Sequence, residues 1–119
     1  MGKALADGIL ATFDVQGERF TAWITKSNAI QQVLDLKAGK SKASIPSSII
    51  LKGPGESDFN APWNWHMSPE DIGMTEFSIE LCDGKPSDVQ GNLNYWLNTV
   101  KRFCPWRAML VDVRDLRKG

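Results

Sequence analysis

Four stretches of this chain alternate apolar and polar residues one by one, a period that belongs to strands with one buried face and not to helices. Residues 9–15 alternate with Ile9, Ala11, Phe13 and Val15 on one side, and Arg19 to Thr25 with Phe20, Ala22 and Ile24. Residues 74–82 place Thr75, Phe77, Ile79 and Leu81 inward, and Ala108 to Val113 place Met109, Val111 and Val113 inward. Gln16-Gly17 between the first two runs predicts a hairpin turn. Such strands must pair, so the chain is constrained to a sheet whose apolar face needs a cover.

Two segments supply the cover. From Asn28 to Leu36 the apolar Ile30, Val33 and Leu34 share a helical face, with Ser27 or Asn28 able to cap the start and Gly39 the stop. Val89, Leu93, Trp96, Leu97 and Val100 form a longer stripe at helical spacing, and Ser87 with Gln90 suggests a capping box. Between the helices, Pro46 to Lys52 reads as another strand through Ile49-Ile50-Leu51. The expectation is one α+β domain over residues 1–119 in the order ββαββαβ. It has an antiparallel or mixed sheet of about five strands with both helices on one face, a ferredoxin-like core plus an N-terminal strand.

Composition excludes several classes of function. Basic and acidic residues balance at 14 each, so no net field attracts nucleic acid or an anionic membrane. No apolar run approaches the ~20 residues that cross a bilayer. No signal sequence opens the chain, and Ala6 lacks the hydroxyl of a myristoylation site. A soluble protein is expected, cytoplasmic or secreted after removal of a signal. Cys82 and Cys104 are compatible with one disulfide or with two buried thiols. The expected topology separates them by a helix of roughly 14 residues, or ~21 Å, so a disulfide would speak against that topology.

The candidate site is the connection after Gly53-Pro54-Gly55, which runs to Gly73 and is long for so small a domain. It contains Phe59, Asn60, Trp63, Asn64, Trp65 and His66, and Ser68-Pro69-Glu70-Asp71 predicts a single helical turn closing it. Trp63 and Trp65 are expected to point opposite ways, one toward the core and the other toward solvent. Two readings follow. Either the tryptophans pin the loop to the sheet end, or they form an aromatic platform, with Asn60, Asn64 and His66 as the polar groups that orient a ligand. Trp23 stands out on the second face of the sheet, among Thr12, Asp14, Arg19, Thr21, Glu76, Ser78, Glu80, Asp112 and Arg114, as a candidate docking point.

The common catalytic motifs are absent. Glu76 and Glu80 would lie about 13 Å apart along a strand, too far for a glycosidase pair. Gly39-Lys40-Ser41 lacks the earlier glycine of a phosphate loop, because that position is Leu34. His66, with Asp71, Glu70 or Asp58, could act as a base or metal ligand, but no second ligand stands at a metal-site spacing.

The segments Ala61-Pro62-Trp63-Asn64-Trp65-His66-Met67-Ser68-Pro69, Glu76 to Asp83 and Phe103-Cys104-Pro105-Trp106 resemble a small domain family of bacteria and fungi. Its members are sometimes labelled calmodulin-related, and many look secreted. The resemblance covers most of the chain from Phe13 onward. It implies no catalytic residue, cofactor or established activity, and no calcium-binding loop is present here. The sequence therefore points to a non-enzymatic module binding a protein or a carbohydrate through loop 59–67, a protease inhibitor being one form. A small enzyme or metal site at His66 is the alternative, and an oligomerisation domain acting through sheet edges or the Trp23 face is another.

Overall fold

The computed structural model describes residues 7–117. Met1 to Ala6, where the lipid-anchor question arises, and Lys118 of the basic tail lie outside them. In chain order the elements are β1 (Ile9–Val15), β2 (Glu18–Ile24), α1 (Ser27–Lys37), β3 (Ile45–Lys52), β4 (Trp65–Met67) and β5 (Gly73–Thr75). Then follow α2 (Pro86–Gly91), the helical turn α3 (Leu93–Tyr95) running into a π-helical turn at Trp96–Val100, β6 (Arg102–Phe103) and β7 (Ala108–Asp115). The class is α+β, dominated by strands. Among the described residues no helix is long and apolar enough to cross a membrane.

Two antiparallel sheets form instead of one. β1 is the centre of the first, flanked by β2 and β7, and β3 is the hub of the second, pairing with β4, β5 and β6. The expected five-stranded sheet in ferredoxin-like order is not what assembles. The hairpin itself follows the alternation: Ile9, Ala11, Phe13 and Val15 of β1 and Phe20, Ala22 and Ile24 of β2 are all buried. On its outer face Thr12 and Thr21 share a hydroxyl hydrogen bond of 3.1 Å, and Arg19 pairs with Asp14 at 3.4 Å. These are the cross-strand pairs of a solvated face.

Three departures from the expected elements have local causes. The strand expected over residues 74–82 stops at Thr75, whose hydroxyl donates to the Phe77 carbonyl at 2.8 Å while accepting the Phe77 N–H. That side-chain turn draws the backbone off the ladder. The long second helix breaks at Gly91 and Asn92, the latter at φ −147° and ψ 51°, where one residue lacks a side chain and the next competes for backbone bonds. Its stripe still packs, with Val89 and Trp96 buried and Leu93, Leu97 and Val100 against the core. Its start is held by Asp88, which accepts the Lys85 N–H at 2.8 Å, and by Glu18, which accepts from the backbone and hydroxyl of Ser87, in place of a Ser87 and Gln90 box. In β7 the register against β1 shifts between Thr12 and Phe13, a bulge that leaves Val111 as the extra residue. Before the bulge the parity therefore inverts, Ala108 and Leu110 turning inward while Met109 and Val111 are exposed, whereas beyond it Val113 packs against the core as expected.

The broken helix also brings the cysteines together. After the π-helical turn, Lys101 adopts a left-handed conformation at φ 67° and reverses the chain into β6. Cys82 and Cys104 are joined in a disulfide with Cα atoms 5.1 Å apart, and the Cys104 N–H donates to the Cys82 carbonyl at 2.7 Å. The expected ferredoxin-like order argues against this disulfide, and the disulfide is what forms. Closing a loop of this length removes chain entropy from the unfolded state worth about 3 kcal/mol. Replacing both cysteines by serine is expected to lower the unfolding free energy by about 2–4 kcal/mol in urea titrations. An unchanged midpoint would show the bond to be incidental to stability.

Candidate functional site

The loop from Gly53 to Gly73 closes on itself before it closes on the sheets. Gly53 donates its N–H to the Asn64 carbonyl at 2.8 Å, and Asn60 donates to the Pro54 carbonyl at 2.9 Å. Gly55, at φ 87°, lies so close to the Phe59 ring that a Cβ there would collide with it, so both the backbone conformation and the space demand glycine. Residues Trp65–Met67 then pair with Ile50–Lys52 of β3, which turns the end of the aromatic segment into a strand.

The polar and aromatic residues of the loop divide by direction. Asn60 is buried, and its carboxamide is fully engaged: Oδ1 accepts the Thr21 N–H of β2 at 2.8 Å and Nδ2 donates to the Trp65 carbonyl at 2.7 Å. Trp65 is fully buried, with ring centroids 5.6 Å from Phe20 and 5.3 Å from Phe103. Among the described residues its indole N–H meets no acceptor. Trp63 is half-buried and donates its indole N–H to the Arg19 carbonyl of β2 at 2.8 Å, its ring 6.2 Å from that of Trp65. The two tryptophans thus lean the same way rather than oppositely. Residues two apart in extended chain share one side, so this is the arrangement the strand period itself demands, and the expectation of opposite directions is corrected.

Outside this anchor lies a second row. Trp23, Phe59 and His66 are half-buried, with centroids 6.3 Å apart for the first pair and 5.4 Å for the second. His66 Nδ1 sits 2.8 Å from the Gly53 carbonyl, and because a carbonyl only accepts, that nitrogen carries the proton. The carboxylates expected beside it serve elsewhere or point outward. Asp71 accepts the Ile49 N–H at 2.9 Å and pairs with Arg102 at 3.0 Å, whereas Asp58 and Glu70 are exposed. Among the described residues no group of three His, Cys, Asp or Glu side chains could hold a metal. Asn64 is exposed, and its N–H is taken by Gln90 at 2.7 Å.

The alternation around residue 79 concealed an exposed apolar segment. Phe77, Ile79 and Leu81 are 85%, 65% and 59% exposed, because the chain has left the sheet that would have covered them. The base of this ridge is stiff. The Cys82–Cys104 disulfide closes it, the Trp106 indole donates to the Ile79 carbonyl at 3.3 Å, and Asp83 accepts the Trp106 N–H at 2.7 Å. The signal available in the sequence was Thr75, a residue able to divert its own backbone, next to a cysteine that needs a partner.

A disulfide-closed α+β domain with one aromatic anchor and one exposed apolar ridge defines a small scaffold class whose surfaces are carried on loops. Residues 7–117 match the family described as the BP-74 N-terminal domain, and the chain belongs to that family. No curated protein and no solved structure matches the chain. Within the loop, Trp65→Ala is expected to cost about 3–5 kcal/mol, since it empties a fully buried aromatic site. His66→Ala is expected to cost well under half of that. Thermal unfolding of the two variants checks the order, and equal losses would mean that the inner and outer rows are not energetically distinct.

Proposed function

We propose that this domain is a non-enzymatic binding module whose ligand is another protein. The observation that carries the reading is the exposed ridge of Phe77, Ile79 and Leu81. Three large apolar side chains exposed within five residues are a concentration of apolar surface that water disfavours and a partner can cover. A partner with an apolar cleft fits the ridge, and an endopeptidase cleft is one such shape. Because the disulfide and Trp106 order the base beforehand, little conformational freedom is lost on association. The disulfide also suits secretion or another oxidising compartment.

The row of Trp23, Phe59 and His66 supports a second reading, in which the outward half of the loop takes a carbohydrate. Aromatic faces with nearby polar groups such as Asn64 stack on sugar rings in this manner. Trp65 and Asn60, being buried, serve that surface only by holding it in place.

The variant Phe77→Ser/Ile79→Ser/Leu81→Ser separates these readings, because exposed side chains contribute little to folding and stability should change by less than about 1 kcal/mol. Immobilised wild type is expected to retain specific proteins, or to inhibit members of an endopeptidase panel, that the triple variant does not. Identical profiles for the two would sink the ridge. Glycan-array binding lost in Trp23→Ala and kept in the triple variant would favour the outer aromatic row instead.

A further inference from the structure

The two edges of the first sheet are treated differently. In β2 the backbone groups that point away from β1 belong to Arg19, Thr21 and Trp23, with Thr25 just beyond the strand. The loop takes three of these positions: Trp63 on the Arg19 carbonyl, Asn60 on the Thr21 N–H, and the Pro69 carbonyl on the Thr25 N–H at 3.1 Å. Among the described residues β7, at the other edge, is paired along its length with β1 alone. Beside it a groove of about 470 Å³, bounded by Leu36, Lys37 and Ser44, leaves room along residues 108–113. An open edge eight residues long and without proline is a template for another strand.

The sequence of β7 indicates which strand. The Leu116 N–H donates to the Gly8 carbonyl at 2.9 Å, which fixes the phase: Arg114 and Asp112 address β1, and the backbone groups of Val113 and Asp115 point outward. Asp112 and Arg114 are exposed, lie on the same face, and take part in no ion pair among the described residues. If two copies of β7 pair antiparallel about a two-fold axis, hydrogen-bond phase allows the axis to fall at Asp112, Val113 or Arg114. An axis at Asp112 sets two aspartates opposite each other, and one at Arg114 sets two arginines opposite, both unfavourable. An axis at Val113 sets each Asp112 opposite the Arg114 of the other copy, in the pairs whose side chains approach most closely.

We propose that a second copy of this chain is the partner of β7, joined in an antiparallel pair about Val113 that extends the first sheet from three strands to six across the dimer. The contact is small, below the ~1,200 Å² of stable interfaces, so association is weak and concentration-dependent. This proposal is independent of the ridge and of the outer aromatic row.

Sedimentation velocity over a concentration series up to ~1 mM reads the dimer directly. Asp112→Arg and Arg114→Asp each replace two attractive pairs with two repulsive ones and are expected to weaken dimerisation about tenfold or more. The double variant restores opposite charges and is expected to recover it. Hydrogen exchange of the Val113 amide should slow in the dimer, and circular dichroism confirms that each variant is folded. A wild type that stays monomeric throughout overturns the proposal. So does a dimer indifferent to the single changes, or one that the double variant fails to recover.

Discussion

One side chain joins the two sheets, and much of the remaining architecture depends on it. The Asn60 carboxamide accepts from β2 and donates to β4, satisfying in one buried group a backbone donor of the first sheet and a backbone acceptor of the second. The bond to Trp65 is buried and the bond to Thr21 partly so, and losing the first would leave a buried carbonyl unpaired at a cost of about 1–3 kcal/mol. Beside this bridge, which ties β4 to β2, Trp65 fills the space among Phe20, Phe103 and Trp63. The long loop is therefore part of the core rather than an appendage to it. Its length is what it takes to leave β3, build the aromatic knot around Gly55 and Phe59, and return antiparallel to the same strand.

How far the sequence could be read depended on whether one period governed a stretch. The hairpin of β1 and β2 is regular from end to end, and its buried face was legible residue by residue. Helix α1 and strand β3 were legible to within a residue or so. Where a single local event interrupts the period, pattern reading failed. One extra residue in β7 exchanged the inner and outer faces of its first half, a hydroxyl at Thr75 ended a strand early, and Gly91-Asn92 divided a helix whose apolar stripe was nonetheless correct. Each interruption costs little locally and redirects everything downstream, which is why a ferredoxin-like order was inferred where two sheets exist.

The candidate site was half legible for a related reason. Composition identified the loop, and its residues do converge, but alternation cannot say which side of a loop faces inward when the loop brings its own strand. In the sequence Trp65 and Asn60 look like ligand groups, because large or polar residues in a connection usually lie at the surface. Here those two residues are interior although much of the connection is exposed. The exposed ridge at Phe77 to Leu81 was missed by the converse error, since an alternating run looks the same whether or not a sheet covers it.

The sealing of β2 by Asn60, Trp63 and Pro69 determines how this molecule can aggregate as well as how it folds. A sheet open on both sides can add neighbours without limit and grow into a filament. A sheet open on one side can accept a single neighbour, and if that neighbour is its twin, each uses up the other's vacancy and growth stops. The aromatic loop is thus also a chain terminator, and loosening it would expose a second edge on which fibres could start.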